Sequence, residues 1–228
     1  MSIAASILCI ALAILSLVLW QRQLRQRREA YIRSFILPKG LFEKLRERHP
    51  NLTMKDCQLV SQGLRQFFQS HLKSGRKYVS MPSQVADDLW HEFILYTKNY
   101  QHFCQHAFGR FLHHTPAAVL TKGQQGDAGI RRCWHFVCHE ENINPRKPTR
   151  LPLLFALDSK LGVPNGFVYV ADCSGFQRQG GTGSDAYCAA ELGSSDSGGT
   201  DSGFSDGDFG GDGDAGGDGC GGGGCGGD

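Results

Sequence analysis

The run IAASILCIALAILSLVLW, Ile3 to Trp20, holds 18 consecutive residues without a charge. As a helix it reaches about 27 Å, close to the thickness of one bilayer hydrocarbon core. A helix apolar on every side over that length has no wet face to offer a small globular domain. Trp20 stands where an interfacial aromatic belongs, and QRQLRQRR follows with Arg22, Arg25, Arg27 and Arg28. A cleaved signal peptide carries its basic residues before the apolar run and small residues at its end. Here Leu17, Val18, Leu19 and Trp20 are bulky, and Leu8 precedes Cys9 where a lipoprotein signal needs a small residue. The run is therefore expected to stay in the cell (inner) membrane as a single-pass anchor. Positive flanks stay cytoplasmic, which puts the N-terminus outside and the body in the cytosol. Residues 3–20 take the lipid bilayer as partner, and Arg22, Arg25, Arg27 and Arg28 are candidate ligands for lipid head groups.

Charge is segregated along the 228 residues. Residues 1–178 carry +12 and residues 179–228 carry −10, so the overall +2 hides a basic body and an acidic end. Residues 179–228 also hold 20 glycines in 50 positions, too little apolar surface to offset ordering entropy, and a disordered tail is expected. Nine cysteines, at 9, 57, 104, 133, 138, 173, 188, 220 and 225, form no compact secreted framework. Mostly reduced thiols in a reducing compartment fit that scatter.

Between anchor and tail the apolar periodicity is helical. The anchor helix continues to about Phe35. LFEKLRERH, Leu41 to His49, stops at Pro50. Thr53 opens a helix with Asp56 as the partner of a capping box, and Leu59, Val60, Leu64, Phe67, Phe68 and Leu72 form its buried stripe. Ser83 caps a helix predicted over 85–108. GIRRCWHFVCHEEN and RLPLLFALDSKLGV predict two more, and GFVYVADC is the one convincing strand, with Lys77 to Ser80 as a candidate partner. The expected architecture is mainly α: an N-terminal transmembrane helix (1–21), a basic juxtamembrane helix (22–36), a small helical bundle with at most a minor β hairpin (37–175), and a disordered Gly/Asp-rich tail (176–228).

Histidine is the chemistry-bearing residue. Seven of nine histidines lie between 91 and 139. On a wheel for 85–108, Leu89, Phe93, Tyr96, Tyr100, Phe103 and Ala107 make the core stripe, while His91, His102 and His106 lie on the wet edge. Asp87 with His91, and His102 with His106, are i,i+4 pairs about 6 Å apart, close enough to chelate one ion. On a continuous helix His91 and His102 are too far apart to share that ion, so any site needs ligands from elsewhere. His113 and His114 in FLHHTP, and His135 with His139 in WHFVCH, are the sources. Two readings follow. In one, Asp87, Asp88, Trp90, His91, His113 and His114 form a structural polar cluster. In the other, His102, His106, His135 and His139 bind zinc or iron, with His113 or His114 as a further ligand and Asp88 and His91 supporting them. CxxC, HExxH, GxSxG, Walker and Rossmann motifs are all absent, and an enzyme is not expected. The expected role is a membrane-anchored cytosolic module that binds an unknown protein partner and scaffolds it at the membrane. The alternative is a His-rich metal-binding module or metal-dependent enzyme. No nucleic-acid partner is expected.

The blocks DDLWHEFILYTKNYQHFCQHAFGRFLHHTP and INPRKPTRLPLLFALDSKLG, with the Gly/Cys tail, resemble bacterial glycine-rich domain-containing proteins, a group of small membrane-associated proteins. A looser similarity extends to the glycine-rich domain proteins of plants and fungi, with their Asp-x-x-Trp-His-x-His signature. Asp87, Trp90 and His91 match that signature, and Phe93 stands in place of its second histidine. The resemblance implies a helical domain and no established activity.

Overall fold

The computed structural model describes residues 3–75, 77–114, 124–171 and 186–193. The anchor and the basic stretch behind it form one helix, α1 (Ile3–Ser34). It is long and apolar enough to cross a membrane, with a mean hydropathy of 2.7 over an 18-residue window that is nowhere buried. Its last turns behave differently. Ile32 is fully buried, and Tyr31 and Phe35 pack on Phe103 at ring-centroid distances of 6.0 and 4.7 Å. The juxtamembrane stretch is thus part of the domain's packing.

The body follows as α2 (Leu41–Arg48), α3 (Met54–Lys73), α4 (Gln84–Leu95), α5 (Thr97–Phe108), α6 (Gln124–Glu140), α7 (Leu153–Leu161) and α8 (Ala189–Gly193). Helix α3 is the hub, in contact with α1, α2, α4, α6 and α7. Its N-terminus carries the expected capping box: Asp56 N donates to the Thr53 side chain, and Thr53 N donates to the Asp56 carboxylate. Val60, Leu64, Phe67, Phe68 and Leu72 are buried along one stripe, as helical spacing requires. At the far end of the bundle Glu140 accepts from Arg33 at 2.7 Å and also from Lys73, tying α1, α3 and α6 together. Burial pushes the Glu140 carboxyl up, but the hydrogen bonds and charges of Lys73 and Arg33 outweigh it and hold the group below its ordinary range.

Four expectations are corrected. The helix predicted over 85–108 is two helices, broken at Tyr96 (φ −80°, ψ 60°). A straight helix of that length would run about 36 Å, past the end of the 20-residue α3. The break lets α4 pack on α3 while α5 packs on α1, and it leaves Leu95 exposed at the corner. The strand β1 (Val168–Val170) pairs in parallel with β2 (Ala186–Cys188), in register Val168 to Ala186, so the pair is not a hairpin and Lys77–Ser80 is not the partner. β2 runs directly into α8, which packs on α6 with Ala189 buried. Residues 186–193 therefore form regular structure inside the stretch expected to be disordered; the rest of 176–228 lies outside the described residues. Cys9, Cys57, Cys104, Cys133 and Cys138 are free, as expected, whereas Cys188 is disulfide-bonded. The buried thiols of Cys133 and Cys138 are pushed up to about 12, chiefly by burial, which keeps them in the protonated form near neutral pH.

Candidate metal centre

The start of α4 is the most heavily constrained point of the fold. Ser83 caps it by accepting from Ala86 N at 3.2 Å. Asp158 of α7, 2% exposed, reaches in beside it. Its carboxylate accepts from Ser83 Oγ (2.8 Å), Gln84 N (2.7 Å), Val85 N (3.2 Å) and Phe167 N (2.9 Å). Gly166 is needed for that last approach, since a Cβ there would lie 2.6 Å from Asp158 Cβ. A negative charge is favoured at a helix N-terminus, and here it is fully hydrogen-bonded.

One turn further in, two adjacent aspartates part company because neighbouring helix positions point about 100° apart. Asp88 turns toward α2. It meets Arg48 Nη1 at 2.7 Å and His49 Nε2 at 2.8 Å, with Gln84 Nε2 at 3.4 Å. Neither Arg48 nor His49 carried any local signal of this role. Asp87 faces the other way. Its Oδ1 lies 2.9 Å from His114 Nε2 and its Oδ2 3.7 Å from His91 Nδ1. The rings of His91 and His114 are 4.3 Å apart. Side-chain exposure is 23% for Asp87, 42% for His91 and 14% for His114, so the cluster opens to solvent on the His91 side.

His114 is not on α4; the chain has to bring it there. Gly109 ends α5 in the left-handed region (φ 76°), and the chain turns back. Tyr100 OH donates to Leu112 O at 2.6 Å and accepts from Trp90 Nε1 at 3.1 Å. Burial holds the Tyr100 phenol well above its ordinary range, so it stays a proton donor. Trp90, nearly fully buried, then places its ring edge-on to His114 at 4.5 Å. Asp87, Trp90 and His91, at spacing 0, 3 and 4 on α4, all touch His114. That convergence is what the Asp-x-x-Trp-His block builds.

Two imidazoles and a carboxylate are a donor set for zinc or ferrous iron. The three ligand atoms lie within 4.8 Å of one another. Tetrahedral zinc with bonds near 2.0–2.1 Å separates its ligands by about 3.4 Å, so a small swing of half-exposed His91 closes the set.

The residues expected to bind metal are not brought together. Among the described residues, Asp87, His91 and His114 are the one group of three or more His, Cys, Asp or Glu placed to share an ion. The His102 and His106 rings lie tilted against each other at 4.1 Å, and His106 Nδ1 is spent on His102 O at 2.8 Å. His135 and His139 lie exposed on α6. His113 is exposed and sits tilted against Phe111 rather than joining His114. Asp88, expected beside His91, is held by Arg48 instead. Of the arginines, Arg25 donates to Lys73 O at 3.3 Å, Arg28 lies against Gly109, and Arg22 and Arg27 are exposed.

A profile of the UCP032817-like family matches residues 27–192. The chain belongs to the UCP032817-like family. The match runs from Arg27, inside α1, to Leu192 in α8, so the family feature is the packed body and not the apolar run or the Gly-rich end. The UCP032817-like family is uncharacterised, and no glycine-rich domain family is found, which overturns the resemblance drawn from the Trp-His and His-His-Thr-Pro blocks. No curated protein and no solved structure matches the chain.

Proposed function

We propose that this UCP032817-like protein is a single-pass membrane protein whose cytosolic helical body binds one divalent transition-metal ion through Asp87, His91 and His114. The observation that carries the metal reading is the meeting of two imidazoles and a carboxylate from separate segments around an open point. Zinc and ferrous iron suit that donor set. An ion there would clamp the segment ending at His114 onto α4 and keep further coordination positions open for water or a donor from a protein partner. That suits a docking module at the membrane face, and it names the surface by which a partner would be held. The arginines behind the apolar run support a cytosolic body.

The test is elemental analysis and zinc titration of the full-length protein in detergent. One equivalent of metal is expected in the wild type and in His102→Ala, and less than a tenth in His91→Ala, whose half-exposed side chain can be removed without opening the core. Metal content unchanged in His91→Ala, or below a tenth of an equivalent in wild type, ends the proposal.

A further inference from the structure

The body begins almost at the membrane. α1 leaves its apolar run at Trp20, is already half-buried at Leu24, and at Arg25 already bonds to α3. Four to five helical residues rise about 6–8 Å. The polar layer on each side of a bilayer core is roughly 5–8 Å deep. The end of the body that meets α1 here therefore lies at head-group depth.

That end is made by the C-termini of α3 and α5. Arg25 Nη2 donates to the Lys73 carbonyl at the end of α3. The Arg28 guanidinium covers the end of α5, so close that a Cβ on Gly109 would lie 2.5 Å from Nη2. Helix C-termini carry partial negative charge, which an anionic lipid surface would repel. Arg25 and Arg28 offset it. Arg22 and Arg27 remain exposed on α1, one on either side of Arg25 along the helix, and Lys77 and Arg110 are exposed in the segments that follow α3 and α5.

We propose that this rim binds anionic phospholipid head groups, with Arg22 and Arg27 as the lipid-facing contacts. The four juxtamembrane arginines thus divide into two that neutralise helix ends and two that face lipid. The inference rests on α1 spanning the bilayer and is independent of the metal reading.

Trp20 is the reporter. It is 61% exposed, whereas Trp90 and Trp134 are buried at 4% and 0%. Full-length protein is reconstituted into vesicles of brominated phosphatidylglycerol or brominated phosphatidylcholine, diluted with the unbrominated other lipid, and Trp20 quenching gives their relative affinity. Wild type is expected to prefer phosphatidylglycerol severalfold at low salt, at roughly fivefold per engaged arginine, with the preference shrinking as salt rises. The double variant Arg22→Gln/Arg27→Gln is expected to show none. Equal affinity in wild type, or an undiminished preference in the double variant, overturns the proposal. Absence of quenching by either lipid overturns the span itself, and the lipid surface with it.

Discussion

Two carboxylates meet α4 within its first turns, and they are opposites. Asp158 is 2% exposed and holds four donors, three of them backbone N–H groups. Asp87 is partly open and faces two imidazoles, one at hydrogen-bond distance and one beyond it. A carboxylate saturated by backbone donors has no lone pair left for a ligand and works as a strut. A carboxylate whose neighbours are themselves metal donors keeps its lone pairs for exchange. The position of each along α4 does not separate the two; the identity of the facing groups does.

The largest effect should come from breaking the strut. Asp158→Ala leaves buried backbone donors and the Ser83 hydroxyl unpaired, and should cost about 3–5 kcal/mol in denaturant unfolding of the detergent-solubilised protein. Asp87→Asn, measured with chelator present, should cost less than about 1 kcal/mol. Equal losses would erase the contrast between the two sites.

Metal addition should sharpen it. At a hundredfold excess over the dissociation constant, an ion that binds only the folded state adds about 2.7 kcal/mol. That gain is expected in wild type and absent in Asp87→Asn, read as the shift in unfolding midpoint with and without zinc. A gain that persists in Asp87→Asn would move the ion to other ligands.

Trp90→Phe sits next in size. It keeps an aromatic ring beside His114 but deletes the N–H donated to Tyr100. About 1 kcal/mol of stability should be lost, and zinc affinity should fall by about tenfold or more because the support of a ligand has been loosened. A stability loss with unchanged zinc affinity would show that Trp90 braces the core without orienting His114.

The site's members were legible in sequence, where Asp87, Trp90, His91 and His114 fall in one polar cluster, but the metal-binding role was read onto other histidines. Asp87 and His91 are visible as an i,i+4 pair, and the capping residues Thr53 and Ser83 place their helices correctly. The path that delivers His114 was not legible. His114 arrives because Gly109 reverses the chain and Tyr100 ties Leu112 back across α5, and no local period encodes that tether. Histidine density also misled. His102 and His106 have the same spacing as a chelating pair, but the helix backbone takes one of their nitrogens, and among the described residues no third ligand joins them. The strut was invisible for a related reason: Asp158 reads as an ordinary late helical residue, and three of its four partners lie 73–75 positions earlier.

Glu140 lies between the two extremes and should give the smallest effect. It is bound by two cations, Arg33 and Lys73, rather than by backbone donors or imidazoles. Its side chain is 23% exposed and Arg33 is more than half exposed, so screening keeps the pair weak. Glu140→Gln should lose less than about 1 kcal/mol near neutral pH. The folded carboxyl sits below its ordinary value of 4.5, so the unfolded state takes up the proton first. The contribution is therefore complete above that value and fades as pH falls through the folded one. Unfolding curves of wild type and Glu140→Gln should draw together as the pH falls below the ordinary value and through the lowered one. A difference that instead grew in acid would mean that the ionised carboxylate does not stabilise the α1–α3–α6 junction and that packing alone holds it.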